Sequence, residues 1–414
     1  MMRGKVAILV GGGPAPGINA VIGAAAIRLL TEERTVMGIE QGFKWLMQGD
    51  ATKVTPLTID QVSRIHFRGG SILKTARANP TTKPMYLDNC LKSLARVGVT
   101  DLITIGGDDT CFSALTLERS SEGSLRVVHV PKTIDNDLDL PHGISTFGFQ
   151  TARHLGTYAV ENVLEDARTT GHWFFVVAMG RKSGHLALGI GKAAGATLTL
   201  IPEEFPERPV RLAKVVDILC GAIIKRLSTG REDGVAVLAE GLAEVMDPQD
   251  LTELESIRHD EHGHIELADL DLGRVLKEAV LKQLAPYDLA PTIRVKDLGF
   301  ELRCAHPIPF DMEYCRDLGC CAAELLLKGG SGAMVSIVNG RFTPIPFDAI
   351  LDPTTKRARV RMVDIESESY LVARQYMIRL TEQDFKREDR LARCAEVVGL
   401  TPEAFRERFS SASR

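Results

Sequence analysis

Leu102-Ile103-Thr104-Ile105-Gly106-Gly107-Asp108-Asp109-Thr110 reads as a buried strand that ends in a glycine turn and gives way to a helix. An unbroken apolar or β-branched run suits a strand covered on both faces. Glycines followed by aspartate suit the turn and the helix N-terminus after it, expected near Thr110. The pattern recurs on either side. Val127-Val128-His129-Val130 runs into Pro131-Lys132-Thr133-Ile134-Asp135-Asn136-Asp137, and Lys5 to Val10 runs into Gly11-Gly12-Gly13-Pro14-Ala15-Pro16-Gly17-Ile18-Asn19-Ala20. Other short β-branched runs, Val36 to Glu40, Trp173 to Met179, Leu198 to Ile201, Gly234 to Glu240 and Ala333 to Val338, alternate with longer amphipathic stretches. This alternation predicts an α/β protein with largely parallel sheets covered on both faces. Ligands of such sheets lie at the C-terminal strand ends, so the loops at Gly11, Gly106, Pro131, Met179 and Pro202 are expected to converge on one edge as one site.

A chain of 414 residues exceeds one ordinary core and predicts two lobes with a cleft. The net charge of -4, with 25% charged residues, argues against nucleic acid or an anionic membrane as partner, so an anionic substrate needs a local basic site. The apolar run at the N-terminus is too short for a signal segment, and no run reaches the length of a membrane span. The eight cysteines are scattered without metal or disulfide spacing, which predicts a reducing cytoplasm. The histidine-rich stretch Glu253 to Glu266 fits no zinc pattern and reads as a solvated hairpin or loop. From Glu366 the tail reads helical, with Val372, Tyr376, Met377 and Leu380 on one face, and Ser410 to Arg414 are expected to fray.

The Gly11 loop opens a helix, an arrangement that lets backbone amides approach phosphate. It lacks both the P-loop spacing and the dinucleotide-binding spacing. Asp108 is the metal candidate, since Mg²⁺ takes one or two carboxylates together with waters and substrate phosphates. Asp109 stands where a nucleotide phosphate would be repelled, and with Lys132 it points to a phosphoryl donor smaller than ATP. Asp135 is the candidate general base for a sugar hydroxyl, with Asp137 orienting it or binding hydroxyls and Lys132 offsetting charge on the phosphoryl group.

These motifs resemble the phosphofructokinase family, and its pyrophosphate-dependent branch in particular. The resemblance runs in order through most of the chain: Gly11 to Asn19, Gly69-Gly70-Ser71 through Arg77, Gly106 to Thr110, Pro131 to Asp137, Met179-Gly180-Arg181, Pro202-Glu203-Glu204, Glu240, and Arg294 through Arg303. ATP-dependent members typically carry glycine where this chain has Asp109 and Lys132. The resemblance implies two Rossmann-like three-layer lobes with mostly parallel sheets and the active site in the cleft between them. It implies a donor lobe of 1–146 plus about 303–355 and a sugar-phosphate lobe of 147–302 plus about 356–414. It also implies Mg²⁺-dependent, reversible phosphoryl transfer from pyrophosphate to the C1 hydroxyl of fructose 6-phosphate, as in glycolysis, by a homodimer or homotetramer.

By the same resemblance, Gly13, Asp108, Asp109 and Lys132 would contact pyrophosphate or its Mg²⁺, with Arg77 nearby. Thr133, Asp135 and Asp137 would face the acceptor hydroxyl. Met179, Gly180, Arg181 and Glu240 would bind the sugar, Arg181 also stabilising the transferring charge, and Arg294 and Arg303 would hold the 6-phosphate. His172 stands where many members supply an arginine across a subunit boundary. Pro14 replaces a frequent aspartate, and Phe300 replaces a frequent hydrogen-bonding side chain. These departures leave sedoheptulose 7-phosphate as a second acceptor. An ATP-dependent sugar kinase, a more distant NAD or lipid kinase, and a non-catalytic sugar-phosphate-binding subunit are the rival readings. Gly23 and Ile27 stand where bacterial ATP-dependent members carry effector-binding arginines, which argues against nucleotide control.

Overall fold

The structure is a computed structural model and describes residues 4–140, 144–252, 271–350 and 359–413. It divides into two units, Met1–Ala152 with Phe300–Arg361 and Arg153–Gly299 with Met362–Arg414. Along the chain the described strands are β1 (Lys5–Val10), β2 (Val36–Ile39), β3 (Val54–Pro56), β4 (Val99–Gly106), β5 (Arg126–Pro131), β6 (Trp173–Ala178), β7 (Leu198–Leu200), β8 (Gly234–Ala239), β9 (Ile293–Leu298), β10 (Ala333–Met334), β11 (Ile337–Val338), β12 (Arg341–Phe342) and β13 (Ile345–Pro346). The described helices of eight residues or more are α1 (Ile18–Leu30), α2 (Pro84–Arg96), α3 (Asp108–Ser120), α4 (Phe149–Thr170), α5 (His185–Ala194), α6 (Leu212–Leu227), α7 (Leu272–Leu284), α8 (Pro309–Leu327), α9 (Glu368–Tyr376), α10 (Glu388–Val397) and α11 (Pro402–Phe409).

The first unit is built on a seven-stranded sheet in the order β13-β10-β5-β4-β1-β2-β3. Its central pairs are parallel, while β3 and β13 pair antiparallel at the two edges. Val6 through Val10 are wholly buried. Alternate residues point to opposite faces. Ala7 and Leu9 join the core formed with Cys90 and Leu94 of α2 and Ala114 and Leu117 of α3. On the other face α1 packs along α8. Each fully buried Leu, Ile or Val side chain in these layers contributes about 1.5–3 kcal/mol relative to exposure. From β1 the chain winds outward to β2 and β3, then returns to add β4 and β5 on the other side. The β1/β4 boundary is therefore a switch point, where the connections leaving adjacent strands diverge and open a crevice.

The second unit holds a four-stranded, all-parallel sheet in the order β7-β8-β6-β9. Its large core joins Trp173 and Phe175 of β6 to α6, α7, Leu380 and, through Phe405 and Phe409, the C-terminal helix α11. Both sheets have the mostly parallel α/β character that the strand–helix alternation predicts.

Several details differ from the sequence reading. The loops expected on one edge divide between two sheets, those at Gly11, Gly106 and Pro131 following strands of the first and those at Met179 and Pro202 following strands of the second. β9 had no β-branched run to mark it: it is an edge strand whose Arg294 and Asp297 are exposed. The run Ala333 to Val338 is split between β10 and β11. α9 ends at Tyr376, so Met377 and Leu380 lie beyond it. The helix buries Tyr370 and Ala373, while Val372 is 37% and Tyr376 80% exposed. Ser410–Ser413 do not fray but form a 3₁₀ turn that buries Ala412, with Ser411 donating to Asp217 at 3.0 Å. The stretch Glu253 to Glu266 lies outside the described residues.

Candidate active site

Three strand ends of the first unit meet at the switch point. Gly11 N donates to Ile105 O at 2.9 Å, and Lys132 N donates to Gly106 O at 2.7 Å. Thr110 explains two of the glycines. A Cβ on Gly11 would lie 2.3 Å from Thr110 Oγ1, and one on Gly106 would lie 2.3 Å from Thr110 Cβ. Glycine is therefore demanded at both positions by packing around a buried threonine, independently of any ligand. Gly12 is different. Its φ of 79° lies in the left-handed region that glycine adopts without strain.

Lys132 lies almost wholly buried and extends its ammonium back to the Gly13 carbonyl oxygen. The loop is also braced from the 71–79 segment: Gly12 N donates to Ala76 O at 3.0 Å, and Thr75 Oγ1 donates to Gly12 O at 2.7 Å. This brings Arg77, exposed and next to Ala76, beside the glycine loop. Arg303 comes to the same place. Its guanidinium nitrogen stands 3.3 Å from where a Gly13 Cβ would be, and its Cζ lies 5.1 Å from the centroid of the exposed Phe300 ring.

Asp108 and Asp109 form the first turn of α3, which begins two residues before the expected Thr110. Anionic side chains there complement the helix dipole. Asp108 is half-buried and Asp109 exposed. The resemblance implies Mg²⁺, and no cluster of three protein ligands is found among the described residues. A hard cation that keeps waters and phosphate oxygens needs only one or two carboxylates, so the oxygen donors of Asp108 and Asp109 fit it.

The 131–137 loop is held from several directions. Thr133 Oγ1 accepts from Asp135 N at 3.1 Å, and Thr133 O accepts from Thr146 Oγ1 at 2.6 Å. Asn136 has φ of 57°, and its Oδ1 accepts from Thr146 N at 3.0 Å. Asp135 and Thr133 are buried and Asp137 half-buried. Asp311 of α8, fully buried, supports the segment after this loop by accepting from Gly148 N at 2.9 Å, Thr151 N at 2.7 Å and Thr151 Oγ1 at 2.6 Å. Burial pushes its carboxyl pKa up against those hydrogen bonds. Below the loop His129 is fully buried: Thr104 Oγ1 lies 2.8 Å from Nδ1 and Gly106 O lies 3.1 Å from Nε2. Burial first, and then the Lys132 charge, drive its pKa down to about 3. A neutral ring with the proton on Nε2 satisfies both contacts. His129, Thr146 and Asp311 carried no sequence signal of a site role, since each acts through a contact that folding creates.

In the second unit, Met179, Gly180, Arg181 and Glu240 assemble at the C-terminal ends of β6 and β8. Arg181 N donates to Glu240 Oε1 at 2.7 Å, and Arg181 adopts φ of 50° with its side chain exposed. A Cβ on Gly241 would lie 2.3 Å from Arg181 O, and one on Gly180 would lie 2.7 Å from Ser183 O. The turn is thus locked around an outward arginine. His172 and Arg294 are not part of this group. His172 precedes β6, and Arg294 pairs in register with Phe174, so both occupy the N-terminal edge of the sheet. At the rise of a parallel strand they lie roughly 20 Å from Met179–Arg181. The Pro202-Glu203-Glu204 motif is structural. Glu203 Oε1 accepts from Gly184 N and Val363 N, both at 2.9 Å, while Arg374 and Arg379 pair with Glu204.

A family profile described as Phosphofructokinase matches residues 5–326. The chain belongs to that family. It is 49% identical over 415 residues to the pyrophosphate–fructose 6-phosphate 1-phosphotransferase of Thermotoga maritima, covering 99% of this chain and 98% of that protein. It is 48% identical over 411 residues to the protein of the same name from Naegleria fowleri, covering 97% and 94%. Among solved structures, the pyrophosphate-dependent phosphofructokinase of Marinobacter aquaeolei matches with a TM-score of 0.68 at 14% identity, covering 95% of this chain and 91% of that one. That last likeness is one of fold. Among the described residues, no helix is long and apolar enough to cross a membrane.

Proposed function

We propose that this chain catalyses reversible transfer of a phosphoryl group from pyrophosphate to the C1 hydroxyl of fructose 6-phosphate, releasing inorganic phosphate. The observation that carries the donor reading is the buried Lys132 ammonium bound to the Gly13 carbonyl, on the floor of the crevice beside the helix N-terminus that carries Asp109. Two charged side chains occupy room that a nucleotide's linkage would need. Near full-length similarity to two pyrophosphate-using relatives supports the same donor.

In the proposed chemistry the acceptor oxygen forms a bond to phosphorus as the bridging P–O bond of pyrophosphate breaks. Asp135 takes the hydroxyl proton, and Thr133 and Asp137 help to bind and orient that hydroxyl. Lys132, Arg77 and the amides around Gly13 hold the donor, and charge on the transferring group is offset by Lys132 and Arg181. Asp108, with Asp109 beside it, would hold Mg²⁺, which when bound neutralises phosphate charge. Met179, Gly180, Arg181 and Glu240 bind the sugar, and Arg294 its 6-phosphate. The position of Arg303 against Gly13 favours a contact with the transferring phosphoryl group over one with the 6-phosphate.

The separation of Arg294 and His172 from Arg181 within one sheet supports a homo-oligomer, a dimer or tetramer, in which a second copy completes the sugar-phosphate site. Eight unpaired cysteines suit a reducing, cytoplasmic setting. Asp135→Asn tests the assignment of the base: kcat is expected to fall about 10²–10⁴-fold with little change in the KM for pyrophosphate. A rate close to that of the parent enzyme removes Asp135 from the role.

A further inference from the structure

Arg361, 226 residues after Asp135, is the other half of the loop that carries the candidate base. Its Nε donates to Asn136 O at 3.0 Å, its Nη1 donates to Ile144 O at 2.8 Å, and its Nη2 donates to Asn136 Oδ1. Its own backbone N donates to Asp137 O at 2.7 Å, and the adjacent Val360 forms an antiparallel bridge with Leu138. The side-chain partners in these bonds are neutral oxygens of the loop. The guanidinium is spread over three of them, a geometry a fork of fixed donors supplies and a single ammonium does not.

The contacts fall on the one residue of the 131–137 loop that stands in the left-handed region. Asn136 stands at φ 57°, a left-handed conformation that disfavours most side chains. It lies between Asp135 and Asp137, so its φ and ψ set the angle at which the two carboxylates leave the loop. Thr146 N shares Asn136 Oδ1, and Thr146 Oγ1 holds Thr133 O, which makes one continuous clamp from Thr133 to Arg361. Without the guanidinium the turn could relax toward right-handed geometry and swing both carboxylates.

We propose that Arg361 is a positioning residue for phosphoryl transfer, clamping the left-handed turn at Asn136 so that Asp135 is aimed at the acceptor hydroxyl. This rests on the reading of Asp135 as the base. The test compares Arg361→Ala, Arg361→Lys and Asp135→Asn in the full chain, measuring kcat and both KM values with pyrophosphate and fructose 6-phosphate. Arg361→Lys keeps the charge and the stem, which guards against a failure to fold. Arg361→Ala is expected to lose about 10²-fold in kcat, the scale of a small misplacement of a reacting group, with the KM for pyrophosphate nearly constant. Arg361→Lys is expected to lie between it and the parent enzyme. Added guanidinium, at a concentration that leaves the parent rate unchanged, should restore part of the Arg361→Ala rate and none of the Asp135→Asn rate.

A kcat for Arg361→Lys equal to that of the parent enzyme overturns the clamp, as does a loss in Arg361→Ala that guanidinium leaves untouched. If Asp135→Asn keeps its rate, the base assignment has failed instead. If Asp135→Asn is inactive while both Arg361 variants are normal, only the clamp has failed.

Discussion

The Lys132 ammonium donates to the carbonyl oxygen of Gly13, joining the end of β5 to the loop that follows β1. The bond spans 119 residues of sequence and puts a positive charge on the floor of the switch-point crevice. It fixes the lysine in place before any donor arrives, so little side-chain entropy remains to be lost on binding.

The proposed donor choice rests on that arrangement. The double variant Asp109→Gly, Lys132→Gly is expected to lose roughly 10²–10³-fold in kcat/KM with pyrophosphate, the scale of removing an electrostatic stabiliser, and to gain relative activity with ATP. Steady-state assays with both donors check this. Unchanged use of pyrophosphate would show that the two side chains do not select the donor.

Glycine at positions 11 and 106 should respond differently to the same rescue. Gly11→Ala is expected to destabilise by about 1–3 kcal/mol through overpacking. Thr110→Ala removes the oxygen 2.3 Å away and the methyl 2.8 Å away, leaving Cβ at 3.1 Å, so the pair of substitutions should recover much of the loss. Gly106→Ala meets Thr110 Cβ itself at 2.3 Å and should not be rescued. Urea midpoints of the single and double variants measure the coupling.

His129 makes stability depend on pH. Its folded pKa, about 3, lies below the usual value near 6.5, so the unfolded chain binds more protons between those limits. Its contribution is complete above about pH 6.5 and is lost as pH falls toward 3, reaching about 2 kcal/mol of loss by pH 5. His129→Asn should flatten this slope in urea unfolding at pH 7 and pH 5. An identical pH dependence in the variant would assign the slope to other groups.

A site shared between copies predicts complementation. Arg181→Ala and Arg294→Ala should each be nearly inactive, whereas subunits mixed after dissociation should regain about a quarter of the parent activity if the oligomer is a dimer of two shared sites. No recovery on mixing, with mixed species demonstrated by native mass spectrometry, would place each complete site within one copy.

The sequence alone determined the strand–turn–helix order, the glycine loops and the residue types of the candidate donor and acceptor groups. These are local matters: hydrophobic period marks a buried strand, and glycine or aspartate after it marks the turn. β9 escaped because an exposed edge strand carries polar residues, and the α9 face differs because the helix stops at Tyr376 and packs through Tyr370 and Ala373, leaving Val372 and Tyr376 to solvent. Only the tertiary structure decided that Thr110 dictates two of the glycines, that Arg303 lies against Gly13, and that His172 and Arg294 share one sheet edge while Arg181 occupies the other. Only it joined Arg361 to Asn136. Contacts of this kind depend on sheet order and register, through which residues more than a hundred positions apart become neighbours, and no short-range pattern in the chain encodes them.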